Sequence, residues 1–177
     1  IVGSLLPEIG APGRALMSLN PRIAACQVLL PDTPRGRVTV REDGHPVVHY
    51  AFDGEMHARM RKGAQAAARA YLAAGATEVL IPAARPIRVR SEADIPGIGE
   101  LPFTSSPIPF LSAHQQGTVR MAPAEKDGAA TPGGHVHGTR GVYVVDSSGF
   151  PSSASSHIMS PIITVSRFLA RRLVGRS

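Results

Sequence analysis

One stretch, Gly141 to Leu173 (GVYVVDSSGFPSSASSHIMSPIITVSRFLARRL), limits the possible folds more than any other. It reads as strand, loop and helix. Val142, Tyr143, Val144 and Val145 are a β-branched and aromatic run, as a buried strand needs. Asp146 closes that run at the carboxyl end, where α/β sheets hold ligands. Ser147 to Ser156 holds six serines plus Gly149 and Pro151, so it reads as loop. Ser155 or Ser156 is placed to cap the following helix. Ile158, Ile162, Val165, Leu169 and Leu173 then recur at three- and four-residue steps and give that helix an apolar face. His157 stands at the helix start, where backbone N–H groups and the positive dipole end favour an anionic ligand edge.

The preceding chain predicts an α+β fold with an antiparallel sheet and one long helix. Residues 1–21 are punctuated by Gly and Pro and read as loop with about one helical turn. Ile23–Leu30 reads as a strand, with Cys26 buried in it. Gly36–Arg41 alternates apolar and polar residues, Glu42-Asp43-Gly44 is a turn signal, and Pro46–Phe52 is the returning strand. Asp53 caps a helix running to about Ala74, with Met60, Ala64, Ala67, Ala68, Tyr71 and Leu72 as its stripe and Gly75 as its stop. Thr77–Pro82 and Ile87–Arg90 read as further strands. Glu92–Pro109, rich in Pro and Gly, reads as a loop or lid beside the site.

Composition excludes several functions. The net charge of +6 invites a nucleic-acid reading. However, Arg is spread along the chain, and its one cluster, Arg167, Arg171, Arg172 and Arg176, suits the negative end of the last helix. There is no Trp and only 5% aromatic residues, too few for base-stacking platforms. No nucleic-acid partner is therefore expected. A single cysteine permits no disulfide within the chain. No apolar run reaches the roughly 20 residues of a membrane span, and no signal peptide is visible, which favours a cytoplasmic protein. His135 and His137 are two apart with no acidic or cysteine cluster beside them, so they read as a solvated loop pair and not as metal ligands. His45, His49 and His57 read as surface or polar-core residues.

His114 and His157 stand out by their surroundings. Each lies beside a bend rich in Gly, Ser or Thr. Taken singly, each reads as a packed or surface histidine. Together with their neighbours they form a pattern: His114-Gln115-Gln116-Gly117-Thr118-Val119-Arg120-Met121, then Val145-Asp146-Ser147-Ser148, Pro151 and His157-Ile158-Met159. In this order the chain resembles the carboxyl-terminal part of the glucose–methanol–choline (GMC) flavin oxidoreductases, most closely from Phe110 to Leu173.

The resemblance implies FAD as cofactor and a small-molecule alcohol as substrate. It implies that His114 and His157 are catalytic, flanking the substrate hydroxyl over the flavin, and their side chains should therefore approach one another. Oxidising an alcohol removes a proton from oxygen and a hydride from carbon. A neutral imidazole suits the first task, and the flavin carries the second. His114 is assigned as the base and His157 as its partner; the reverse assignment stays open. The resemblance also implies cofactor contacts at Asp146 and Ser147, and at the backbone N–H groups of Ile158 and Met159. On its residues alone, Asp146 reads as a turn residue or cap. The SAHQQGT segment is similar to branches that oxidise long-chain alcohols and sterols.

The resemblance further implies two domains. Residues 1–140 would be the substrate-binding domain, and 141–177 the final strand, loop and helix of the FAD-binding domain. No GxGxxG strand–turn–helix is seen, so the N-terminal Rossmann part is expected to be absent here and supplied by a missing N-terminal region or a partner chain. Two residues depart from the family pattern: Val119 stands where most relatives have Cys, and Gln116 where a small or apolar residue is usual. A non-catalytic partner or scaffold fragment that kept the fold is the alternative function.

Overall fold

The computed structural model describes residues 8–33, 36–83, 86–100, 112–154 and 157–175. The chain forms two compact units, each built from two separated stretches. One unit is Ile1–Leu29 with Phe52–Leu111, and the other is Leu30–Ala51 with Ser112–Ser177.

The first unit begins with helix α1, Ala11–Ser18. Pro12 in its first turn presets the helical φ where the missing N–H costs nothing. The expected single turn is therefore a full short helix. The long helix α2 spans Gly54–Ala73, and the Asp53 carboxylate accepts from the Met56 N–H at 2.8 Å, as expected of a cap. Met56, Met60 and Ala68 are its buried positions. Gly75 follows with φ 92°, a left-handed conformation that ends the helix. A two-stranded antiparallel hairpin comes next, here called β3 (Val79–Ile81) and β4 (Ile87–Val89), with Val79 paired to Val89.

Three expectations for this unit are corrected. Ile23–Leu30 forms no ladder, so it is not sandwiched in a sheet; Val28 and Leu29 are exposed, and Cys26 is exposed too. Cys26 still lies at the Tyr71 hydroxyl, whose pKa is raised by burial and then by its hydrogen bond with Cys26. Glu92–Glu100 is a 3-10 helix and not a loop. Asp94 folds back on its start, accepting from the Arg90 and Ser91 N–H groups at 2.9 Å each. Its Ile95 and Ile98 are 1% and 0% exposed and pack toward α2 and β4. Two such burials stabilise by about 1.5–3 kcal/mol each, enough to outweigh the cost of the intervening Pro and Gly. The rest of the expected lid lies outside the described residues.

Glu78 anchors the hairpin of this unit. Its carboxylate accepts from Arg88 Nη1 at 2.5 Å and Arg90 Nε at 2.8 Å, and Arg88 also donates to Glu8 at 2.8 Å. Burial alone would raise the Glu78 pKa, but the two guanidinium groups outweigh it and hold the carboxyl below its ordinary range. A depressed folded pKa means stability that is present above the unfolded value of about 4.3 and lost as pH falls toward the folded value. Glu78→Gln should therefore lower unfolding free energy in urea at neutral pH by about 1 kcal/mol. The gap to the parent should close on acidification below about pH 4. A gap that stays constant into acid would show that packing, and not charge, is what Glu78 supplies.

The second unit holds the other hairpin, β1 (Arg37–Val40) and β2 (Pro46–His49), antiparallel with Arg37 opposite His49. Gly44 turns it with φ 81°. Among the described residues, the expected antiparallel sheet is thus two separate two-stranded sheets. The final helix α3 spans Met159–Leu173. Its apolar face is as expected at Ile158 and Leu169, which are buried, whereas Leu173 is exposed.

Val142–Val145 is not a ladder strand. It makes single bridges: Tyr143 opposite His135, the Val136 N–H to Val142 O at 3.0 Å, and the Val144 N–H to Gly134 O at 2.8 Å. Gly134 has φ 83°, and a Cβ there would lie 2.6 Å from Val144 O, so only glycine allows this close approach. Leu169 of α3 packs at the same place, and Ser166 Oγ donates to Val145 O. Only Val144 and Val145 lie against α3; Val142 and Tyr143 are exposed, so the expected buried strand is not formed.

Candidate active site

The expected site residues His114, Asp146, Ser147, His157, Ile158 and Met159 all fall in the second unit. The His114 and His157 rings approach as expected, with centroids 5.3 Å apart and planes at 77°, an edge-to-face pair. His114 is half-buried and His157 exposed.

Their segments are stitched together by the backbone. Gly117, Val119 and Met121 donate their N–H groups to the carbonyls of Ser147, Ser148 and Gly149 at 3.1, 2.9 and 2.9 Å. Alternate residues of a segment that itself turns at Thr118-Val119 thus meet consecutive residues of a tight turn. Gly117 has φ 73°, and a Cβ there would meet Phe150 O at 3.2 Å. A Cβ on Gly149 would lie 2.5 Å from Met121 Cε. The glycine in each motif permits the approach of the other.

Asp146 caps the turn Ser147–Gly149, accepting from the Ser148 N–H at 2.7 Å. Hydrogen bonds from Ser148, side chain first and then backbone, hold the carboxyl below its ordinary range. The cap reading of Asp146 is therefore realised. Ser147 Oγ donates to Gln115 O at 3.1 Å, so this side chain positions the His114 segment.

Ile158 and Met159 stand at the start of α3. Ile162 is the first residue whose N–H finds the helical carbonyl, Ile158 O at 2.8 Å. Pro161 has no N–H, and no side chain among the described residues caps the helix. Met159 and Ser160 stand in the first turn of the helix, where N–H groups have no partner within the helix itself. Ser155 and Ser156, the expected caps, lie outside the described residues.

Gln116 was read only as a departure from the family pattern. Its amide in fact makes two bonds, accepting from the Ala154 N–H at 3.1 Å and donating to His114 O at 3.2 Å. The signal available in the sequence was a hydrogen-bonding amide between the histidine and Gly117. His135 and His137 are half-buried, and so less solvated than the expected loop pair; His135 packs edge-to-face on Tyr143, 5.2 Å between centroids. Among the described residues, no group of three or more His, Cys, Asp or Glu could hold a metal ion.

Residues 32–166 match the family model for the C-terminal part of GMC oxidoreductases. The chain belongs to the GMC oxidoreductase family. That match spans both units and contains all the paired motifs described above. The comparisons with curated proteins and with solved structures each gave no match. As a GMC C-terminal domain the chain has an oxidoreductase role, in a family whose members are generally FAD-dependent. Among its described residues, no helix is long and apolar enough to cross a membrane.

Proposed function

We propose that this chain is the catalytic C-terminal part of an FAD-dependent GMC enzyme that oxidises the CH–OH group of an alcohol. The observation that carries the reading is the His114–His157 pair, 5.3 Å between ring centroids. Rings so spaced can both bring a nitrogen within about 3 Å of one substrate oxygen. His114 takes the hydroxyl proton, and His157 donates a hydrogen bond to the oxygen as charge develops. The backbone stitching at Gly117, Val119 and Met121 holds His114 in place for that transfer.

The flavin, when bound, supplies the hydride acceptor. The residues at the start of α3 fit it: the N–H groups of Ile158 and Met159 would face the ring's pyrimidine edge, where a helix N-terminus favours negative charge. Asp146 and Ser147 would lie along the rest of the cofactor. In this reading residues 141–177 contribute to the FAD-binding domain and residues 1–140 to substrate binding. The dinucleotide grip comes from an N-terminal part or a partner chain. The SAHQQGT segment favours a hydrophobic alcohol.

The test is anaerobic. The chain, assembled with its FAD-binding region and loaded with FAD, is mixed with a series of primary and secondary alcohols of increasing chain length, and flavin bleaching is followed. Bleaching that saturates with alcohol supports the reading. Tight FAD binding with no bleaching by any alcohol in the series would favour the non-catalytic scaffold instead.

A further inference from the structure

We propose that Gln116 is a positioning residue for the histidine pair, a strap between the segment of His114 and the segment leading to His157. The inference rests on the functional reading above.

The geometry leaves the amide one orientation. Oε1 must face the Ala154 N–H, and Nε2 must face His114 O. Turned over, donor would meet donor and acceptor would meet acceptor. Ala154 precedes His157 by three residues, and Gln116 follows His114 by two. One half-buried side chain therefore fixes the backbone of the proposed base and the backbone approaching its partner. The other contacts between these regions act elsewhere. Ser147 Oγ holds Gln115 O, and the N–H bonds from Gly117 onward hold the turn 147–149. Among these contacts, only the Gln116 amide reaches past Phe150 toward His157.

The side chain's chemistry sets what can replace it. Leucine fills similar volume and makes neither bond. Glutamate keeps the acceptor for Ala154 and loses the donor to His114 O. The pair Gln116→Leu and Gln116→Glu thus separates the two ends of the strap.

Two measurements test it. The first is amide hydrogen exchange on the 177-residue chain. Ala154 should exchange about 3–10-fold faster in Gln116→Leu and keep its protection in Gln116→Glu. The second is flavin reduction in the FAD-loaded enzyme. Gln116→Leu should reduce flavin about 10–100-fold more slowly. FAD content and the alcohol KM should stay within about twofold of the parent. On a His114→Ala background the substitution should cost much less than it does in the parent, because most of its effect acts through that residue. Unchanged Ala154 exchange in Gln116→Leu would overturn the strap. Loss of FAD in place of rate, or a loss that adds fully to that of His114→Ala, would overturn the positioning role. The two readings fail separately. A normal rate in His114→Ala sinks the base assignment and with it the positioning role, whereas a large His114 effect with unchanged exchange sinks the strap alone.

Discussion

His114→Ala should slow flavin reduction by about 10²–10⁴-fold while leaving FAD bound, the typical contribution of a positioned general base. His114 is half-buried, its ring meets that of His157 at 5.3 Å, and its segment is hydrogen-bonded to the Ser147–Gly149 turn. The backbone bonds, and not the imidazole, hold that segment, so removing the ring leaves the scaffold intact. The loss should therefore appear in the reduction step, and not in protein stability or flavin content. His157→Ala should cost less if it only donates a hydrogen bond, and more if the roles are reversed. Stopped-flow bleaching of the assembled, FAD-loaded enzyme reads both. A His114→Ala enzyme that loses flavin but keeps its rate per bound flavin would make His114 structural.

The second large effect concerns stability. Leu169→Ala should destabilise the chain by about 2–5 kcal/mol, the range for deleting a large apolar side chain from a packed site. Leu169 is 2% exposed and packs at Gly134, beneath the Val144 carbonyl. The neighbourhood cannot collapse easily, since Gly134 already lies at the limit of approach to Val144. Ile163 on the same helix is 60% exposed, so Ile163→Ala should stay within about 0.5 kcal/mol of the parent. Urea unfolding of both variants measures the contrast. Similar losses at the two positions would show that α3 buries a different face from the one described.

Much of this was legible in the sequence, and the failures share a cause. Helix α2 and hairpin β1–β2 were read correctly because local chemistry decides them: the Asp53 cap, an Ala-rich run, and the turn at Asp43-Gly44. The approach of His114 and His157 was legible only through the family pattern, since nothing local joins residues so far apart. Ile23–Leu30 and Val142–Val145 were read as strands because β-branched apolar runs suit a ladder. A ladder also needs a partner, and pairing is not written in the run itself. The 3-10 helix Glu92–Glu100 was read as loop because Pro96, Gly97 and Gly99 outweighed Ile95 and Ile98. Tertiary burial of those two isoleucines overrode the local preference. The role of Gln116 is not legible in the sequence, because its two partners are backbone atoms that the sequence does not mark.

The alternating bonds from Gly117, Val119 and Met121 also constrain chain length. The segment is used on both edges: these N–H groups face the turn, while Arg120 O receives the Ala129 and Ala130 N–H groups at 2.8 and 3.2 Å. Inserting or deleting one residue between His114 and Met121 would break the match between these alternate N–H groups and the consecutive carbonyls of Ser147, Ser148 and Gly149, and would shift the imidazole away from His157. Away from His114, Gln116 and Gly117, substitutions can be absorbed here one at a time, but a change in residue count cannot. Natural variants of this chain should therefore vary in spelling between His114 and Met121 and keep its length, with insertions collecting after Ala122, where the chain turns away.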